Sequence, residues 1–103
     1  MKEALIQKQI IDYLQILENR GLCYCFRAGS GAVRLESGNY FKSGKAGVPD
    51  IICCHNGQFI GLEVKNDKGK QSEPQKRAEE LIKYNGGKYV IVRTLQDVIN
   101  LFN

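Results

Sequence analysis

The segment GVPDIICCHNGQFIGLEVK, residues 47–65, carries Asp50, Glu63 and Lys65 in an otherwise apolar run, where a core would take valine or isoleucine. Asn56-Gly57 in its middle is the strongest short signal for a two-residue β-hairpin turn with positive φ at both centres. With those turn centres Asp50 faces Glu63, and the period of two puts Ile52, Cys54, Phe59, Gly61 and Lys65 on their face. Ile51, Cys53, Ile60, Leu62 and Val64 take the other face. Directly opposed carboxylates, about 5 Å apart at Cβ, repel each other. A divalent cation between them would remove that repulsion. Mg²⁺ or Mn²⁺ suits the pair, because both favour carboxylate and phosphate oxygens plus water. The backbone carbonyl of Val64 offers a further ligand. Lys65 can hold a water or hydroxide and stabilise charge developing on a phosphate, while a bound metal lowers the pKa of that water toward neutrality. Each residue also has a plainer reading: Asp50 after Pro49 could cap a turn, and Glu63 with Lys65 could be a solvated ion pair.

The elements that must position these residues are legible from periodicity. A helix is predicted from about Lys2 to Asn19, stopped by Gly21, with Ile6, Ile10, Tyr13, Leu14 and Leu17 forming one stripe. Glu3 falls on that stripe, close to the direction of Ile10 and Leu14. It is therefore expected to point inward, where it could complete the metal shell or bind a second ion. Leu22 to Arg27 reads as a strand, Val33–Glu36 and Tyr40–Lys42 as a hairpin, and residues 44–47 as a loop. After Lys65 a polar, basic loop leads to Ser72-Glu73-Pro74-Gln75, a capping box with proline in the first turn. The helix it opens runs to about Tyr84. Gln75 has two readings, as the third residue of the box or as a side chain at the edge of the site. Gly86-Gly87 stops that helix, Lys88 to Arg93 is a strand, and Thr94 caps a last helix to Phe102. The predicted class is α/β, in the order α-β-β-β-β-β-α-β-α, with a central mixed β-sheet flanked by helices.

At 103 residues the chain is expected to be one domain, 1–103, long enough to bury a core without staples. Its 43% hydrophobic and 25% charged residues are ordinary for a globular domain, and a net charge of +4 suggests a polyanionic partner only weakly. No apolar run reaches the roughly 20 residues needed to span a bilayer, and the first residues form no signal peptide, so a cytoplasmic location and reduced cysteines are expected. Cys23 and Cys25 form C-x-C and Cys53 and Cys54 are adjacent, neither with the spacing of structural zinc ligands. Packing as small hydrophobes is the expected role of all four. His55, beside the Asn56-Gly57 turn, reads as a solvated turn residue.

The pieces Glu3, FRAGSGAVR, KAGVPDII, GQFIGLEVK and GKQSEPQ, in this order, resemble the VRR-NUC family, a branch of the PD-(D/E)xK nuclease superfamily, in the small stand-alone form of phages and bacteria. The match covers most of the chain from Glu3 to Gln75, and the combination of G-x-P-D, E-x-K and S-x-x-Q is specific. The resemblance implies a restriction-endonuclease-like core and a metal-dependent phosphodiesterase that cuts DNA. It implies that Glu3, Asp50 and Glu63 serve the metal, that Lys65 is the catalytic lysine, and that Gln75 lies at the edge of the catalytic site. Stand-alone members resemble Holliday-junction resolvases, which work as homodimers on branched DNA.

Basic residues on loops around a carboxylate site suit recognition of the phosphate backbone without base reading. Arg27, Arg34, Lys42 and Lys45 in the early loops, and Lys68 and Lys70 after the motif, are the candidates, and the glycines around Ser30 could let backbone approach a phosphate closely. Other readings compete with a resolvase: a nuclease for flaps, nicks or ends, a catalytically idle nucleic-acid-binding module, and a zinc-binding regulatory protein built on the cysteines.

Overall fold

A computed structural model of the chain describes residues 1–29, 32–42 and 45–102, with 32–34 and 40–42 described by their backbone pairing. Helix α1 (Glu3–Asn19) buries Ile6, Ile10, Leu14 and Leu17, one side chain per turn, which is the stripe its periodicity predicts. Gly21 ends it with φ +76°, letting the Leu22 amide donate to the Leu17 carbonyl at 3.0 Å and the Gly21 amide donate to that of Glu18 at 2.9 Å. This paired closure satisfies carbonyls that the last turn would otherwise leave without donors.

The stripe packs on a four-stranded sheet ordered β1-β4-β5-β6. β4 (Ile51–His55) and β5 (Gln58–Val64) form the predicted hairpin, with Asn56 and Gly57 at φ +50° and +76° and Ile51 opposite Leu62. β1 (Tyr24–Arg27) lies antiparallel to β4 and starts two residues later than expected. β6 (Lys88–Val92) runs parallel to β5, which requires a crossover. Helix α2 (Glu73–Tyr84) provides it on the face opposite α1. Helix α3 (Leu95–Phe102) returns beside α1, capped by Thr94 and Asp97 in a reciprocal pair of hydrogen bonds.

The core lies between α1, α3 and one face of the sheet. Ile51, Cys53, Ile60, Leu62, Val64 and Val92 form that face, and all are buried. Alternation sends Ile52, Phe59, Gly61 and Glu63 to the α2 side.

Three expectations are corrected here. Among the described residues the strands do not form one sheet: β2 (Ala32–Arg34) and β3 (Tyr40–Lys42) pair there only with each other. β1 and β4 are already joined along their length, and the Ala28 amide extends that pairing by donating to the Asp50 carbonyl at 2.9 Å. The β2–β3 ribbon is therefore an excursion from one rung of the β1–β4 ladder.

The cysteines are not all free. Cys25 and Cys53 are joined as a disulfide, because the register sets them directly opposite on neighbouring antiparallel strands with Cα atoms 4.2 Å apart. Sequence spacing carries no trace of that cross-strand meeting. Cys23 and Cys54 remain free, and burial, then Glu18, push the Cys23 thiol up. His55 is half-buried, not a solvated turn residue. Its Nδ1 lies 2.6 Å from the Leu22 carbonyl, which makes Nδ1 the protonated nitrogen, and its ring meets Phe102 edge-on.

Candidate active site

Asp50 ends the loop that enters β4, and two glycines without room for a side chain fix that loop. A Cβ on Gly61 would lie 2.6 Å from Pro49 Cγ, so the bare backbone of β5 is the seat of the Pro49 ring. Gly47 has φ +82°, and a Cβ there would collide with the Pro74 carbonyl at the start of α2. The segment 47–50 is thus held between the sheet and the N-terminus of α2. Asp50 follows, half-buried, its Oδ2 accepting the Val64 amide at 2.8 Å.

Glu63 projects from β5 on the same side. It is 1% exposed, and no other charged or polar residue belongs to the buried set among the described residues. Gln75 reaches down from α2 and donates its amide to both oxygens of Glu63, at 3.2 and 3.4 Å. The carbonyl end of the same side chain accepts the Ser72 amide at 2.9 Å, closing the capping box. One side chain thus closes the cap of α2 and bonds the buried Glu63.

Burial drives the Glu63 carboxyl up to about 8. Asp50 adds like-charge repulsion and a hydrogen bond to the protonated form, Glu3 adds further repulsion, and Lys65 pulls the other way. The inward position expected of Glu3 is corrected, since its side chain is exposed. It is the first residue of α1, one turn before the first buried contact at Ile6, so it stands at the rim while its charge still reaches Glu63.

Lys65 is half-buried, and its stem lies along the backbone of Gly69, where a Cβ would approach Lys65 Cδ at 3.1 Å. The loop over it is tethered by Arg93, whose Nη1 donates to the carbonyls of Asn66 at 2.5 Å and Gly69 at 3.1 Å. Asp50, Glu63, Lys65 and Gln75 are thus brought together, with the backbone of Val64 held by Asp50.

The expected phosphate contacts spread more widely. Arg27 ends β1, Gly29 lies beside Asp50, Lys45 lines a cleft with Pro49 and Pro74, and Lys68 and Lys70 sit exposed on the loop beyond Lys65. Arg34 and Lys42 belong to the β2–β3 ribbon, and Ser30 lies outside the described residues. Four participants were not legible in the sequence. Gly47 stands there only as the first residue of G-x-P-D, with no packing role, Gly61 as an ordinary strand residue, and Arg93 as the end of a strand. The fourth, Tyr89, sits on β6 opposite Gly61, buried on the Glu63 side of the sheet. Alternation along β6 was its one available signal.

A solved structure described as a VRR_NUC domain superposes on 96% of this chain and 91% of its own, with a TM-score of 0.66 at 22% sequence identity. The fold is that of a VRR_NUC domain. The resemblance read from the motif pieces is borne out at that level. No family sequence model and no curated protein matches the chain. In this VRR_NUC fold the chain places Asp50, Glu63 and Lys65 at one end of the β4–β5 hairpin, roofed by the first turn of α2.

No cluster of three or more His, Cys, Asp and Glu side chains positioned for a metal occurs among the described residues. The two-carboxylate set still fits Mg²⁺, which keeps several waters and is commonly held by one or two carboxylates. Two acids crowded without a cation, one of them pushed to about 8, form a donor set with affinity for positive charge.

Proposed function

We propose that this chain is a nuclease that hydrolyses DNA phosphodiesters with Mg²⁺ or Mn²⁺, the metal held by Asp50, Glu63 and the Val64 carbonyl, with Glu3 at the rim. The observation that carries this reading is the buried Glu63 beside Asp50, on the same hairpin end as Lys65. A structural acid so buried would ordinarily be paired with a cation. Here a second acid is its neighbour.

The bound ion would lower the pKa of a water and offset charge on the phosphate. The residues have separate tasks. Asp50, tied to the Val64 amide, fixes one ligand relative to the strand that carries the other. Gln75 orients the Glu63 carboxylate from above. Lys65 supplies a positive donor at the rim, where it can hold the attacking water and the charge that develops on phosphate oxygens. No covalent enzyme intermediate is required.

Phosphate backbone would be gripped by Arg27, Ser30, Arg34, Lys42, Lys45, Lys68 and Lys70, which favours structure-selective over sequence-selective cutting. Branched DNA such as a Holliday junction is the favoured substrate, cut by a homodimer. The dimer has support in an apolar band on the α2 side of the sheet. Tyr24 and Phe26 on β1 adjoin Ile52, Cys54 and Phe59 by register, and Tyr24, Phe26 and Phe59 are exposed.

The test is cleavage of end-labelled four-way junction, flap, duplex and single-stranded DNA with Mg²⁺, Mn²⁺ or EDTA. Paired metal-dependent nicks near the junction centre are expected. Cutting confined to flaps or ends would keep the chemistry and discard the resolvase assignment. Tight binding without cutting under any metal would leave an idle binding module.

A further inference from the structure

Tyr89 is 5% exposed, yet its hydroxyl is the one buried side-chain oxygen or nitrogen among the described residues without a hydrogen-bond partner. Phenylalanine would fill the same space without stranding a polar atom, and buried groups of this kind are costly to leave unmade. The oxygen is not isolated from the site. β6 sets Tyr89 beside Gly61, two residues along from the rung of Glu63, on the same face. The charges of Glu63, Glu79 and Asp50 all act on the phenol. Gln71 is its other polar neighbour and stands close enough to act on the phenol, yet it completes no well-formed hydrogen bond to the hydroxyl, and its amide donates to Glu79 Oε1 at 2.9 Å. The hydroxyl thus shares the side of the sheet that carries Glu63 without bonding any acceptor there, and a phenol O–H is a donor.

We propose that the Tyr89 hydroxyl is a positioning donor for the loaded metal site: without a partner among the described residues of the metal-free chain, it would donate to the Glu63 carboxylate or to a water of a bound cation, while Gln75 holds that carboxylate from α2. Partners of this second kind fix the orientation of a ligand and commonly change metal affinity 10- to 100-fold when removed. The inference rests on the proposed metal-binding role of Asp50 and Glu63, and adds a residue that the D…E-x-K pattern does not contain.

The experiment compares wild type, Tyr89→Phe and Asp50→Asn in two measurements: thermal unfolding without metal and Mn²⁺ titration by calorimetry. Tyr89→Phe is expected to unfold at the wild-type temperature or higher, since it removes an unsatisfied atom and keeps the ring. It is expected to bind Mn²⁺ at least about 10-fold more weakly. Wild-type affinity in Tyr89→Phe, alongside lost affinity in Asp50→Asn, overturns the role of Tyr89 and leaves the metal site standing. A lowered unfolding temperature with unchanged affinity assigns the hydroxyl a structural partner and also overturns it. No Mn²⁺ binding by wild type removes the metal reading, and this proposal with it.

Discussion

Gln75 donates to Glu63 Oε1 at 3.2 Å while its own side-chain oxygen accepts the Ser72 amide at 2.9 Å, so one amide caps a helix and grips a buried acid. The two duties can be separated. Ser72→Ala removes a cap acceptor and should cost about 1 kcal/mol, with DNA cleavage near the wild-type rate. Gln75→Ala should cost a similar amount and also slow cleavage by about 10-fold, because Glu63 loses its orienting donor. Urea unfolding and cleavage rates on both variants check this. Equal activity in the two would reduce Gln75 to a cap.

The raised Glu63 carboxyl gives stability a definite pH dependence in metal-free protein. Its pKa rises from an ordinary 4.5 in the unfolded chain to about 8 in the folded one, so the folded state holds this proton more tightly. Its contribution is full below 4.5 and is lost as pH rises through about 8, with a slope of at most about 1.4 kcal/mol per pH unit for one proton. Urea midpoints in EDTA between pH 5 and 9 should therefore fall, and Glu63→Gln should flatten the profile. Added Mn²⁺ should stabilise more at higher pH, since the ligands must be ionised to bind it. A rising wild-type profile in EDTA would contradict the burial of this acid.

Asp50→Asn and Lys65→Ala should each reduce cleavage by about 10³-fold or more while leaving the circular dichroism spectrum unchanged. Asparagine keeps an oxygen for the Val64 amide, so the backbone contact survives and the charge alone is lost. The same substitution should bring the Glu63 titration down, because Asp50 is a leading cause of its rise after burial. Carbon-detected NMR of the Glu63 carboxyl reads this directly, and cutting at the wild-type rate by either variant would show that the site is misassigned.

Gly47→Ala should destabilise by about 2 kcal/mol or more, because it combines a left-handed φ with a collision against the Pro74 carbonyl. Backbone meets backbone there, and no side chain can yield. Cleavage should fall too, since Asp50 lies only three residues on. Denaturant unfolding that matches wild type would mean that the loop and α2 separate freely.

The hairpin was legible to the residue because Asn56-Gly57 fixes its register, and the apolar alternation around it then fixes which face Asp50, Glu63 and Lys65 share. Local chemistry also gave the ends of α1 and the capping box of α2. What escaped depends on meetings between distant segments. Cys25 opposite Cys53 needs the β1–β4 register, which no turn specifies. The exposure of Glu3 depends on where α1 overhangs the sheet, and helical angle alone carries no information about overhang. Gly47, Gly61 and Tyr89 matter through what packs against them, and none stands in a local pattern that names its neighbour.

The rung formed by Ala28 and Asp50 is where the chain leaves the sheet for the β2–β3 ribbon and where it returns. Lengthening a loop whose ends are already pinned adds little entropy, about 0.6 kcal/mol for each doubling. The β2–β3 ribbon, residues 32–42, can therefore be rewritten, extended or exchanged between relatives with little cost to the scaffold, whereas Gly47 and Pro49 at its re-entry cannot. The departure and re-entry points stay clamped against an acid of the site. A variable attachment for new nucleic-acid shapes would thus be mounted on the least alterable point of the framework, and recognition could diversify while the cutting chemistry stays constant.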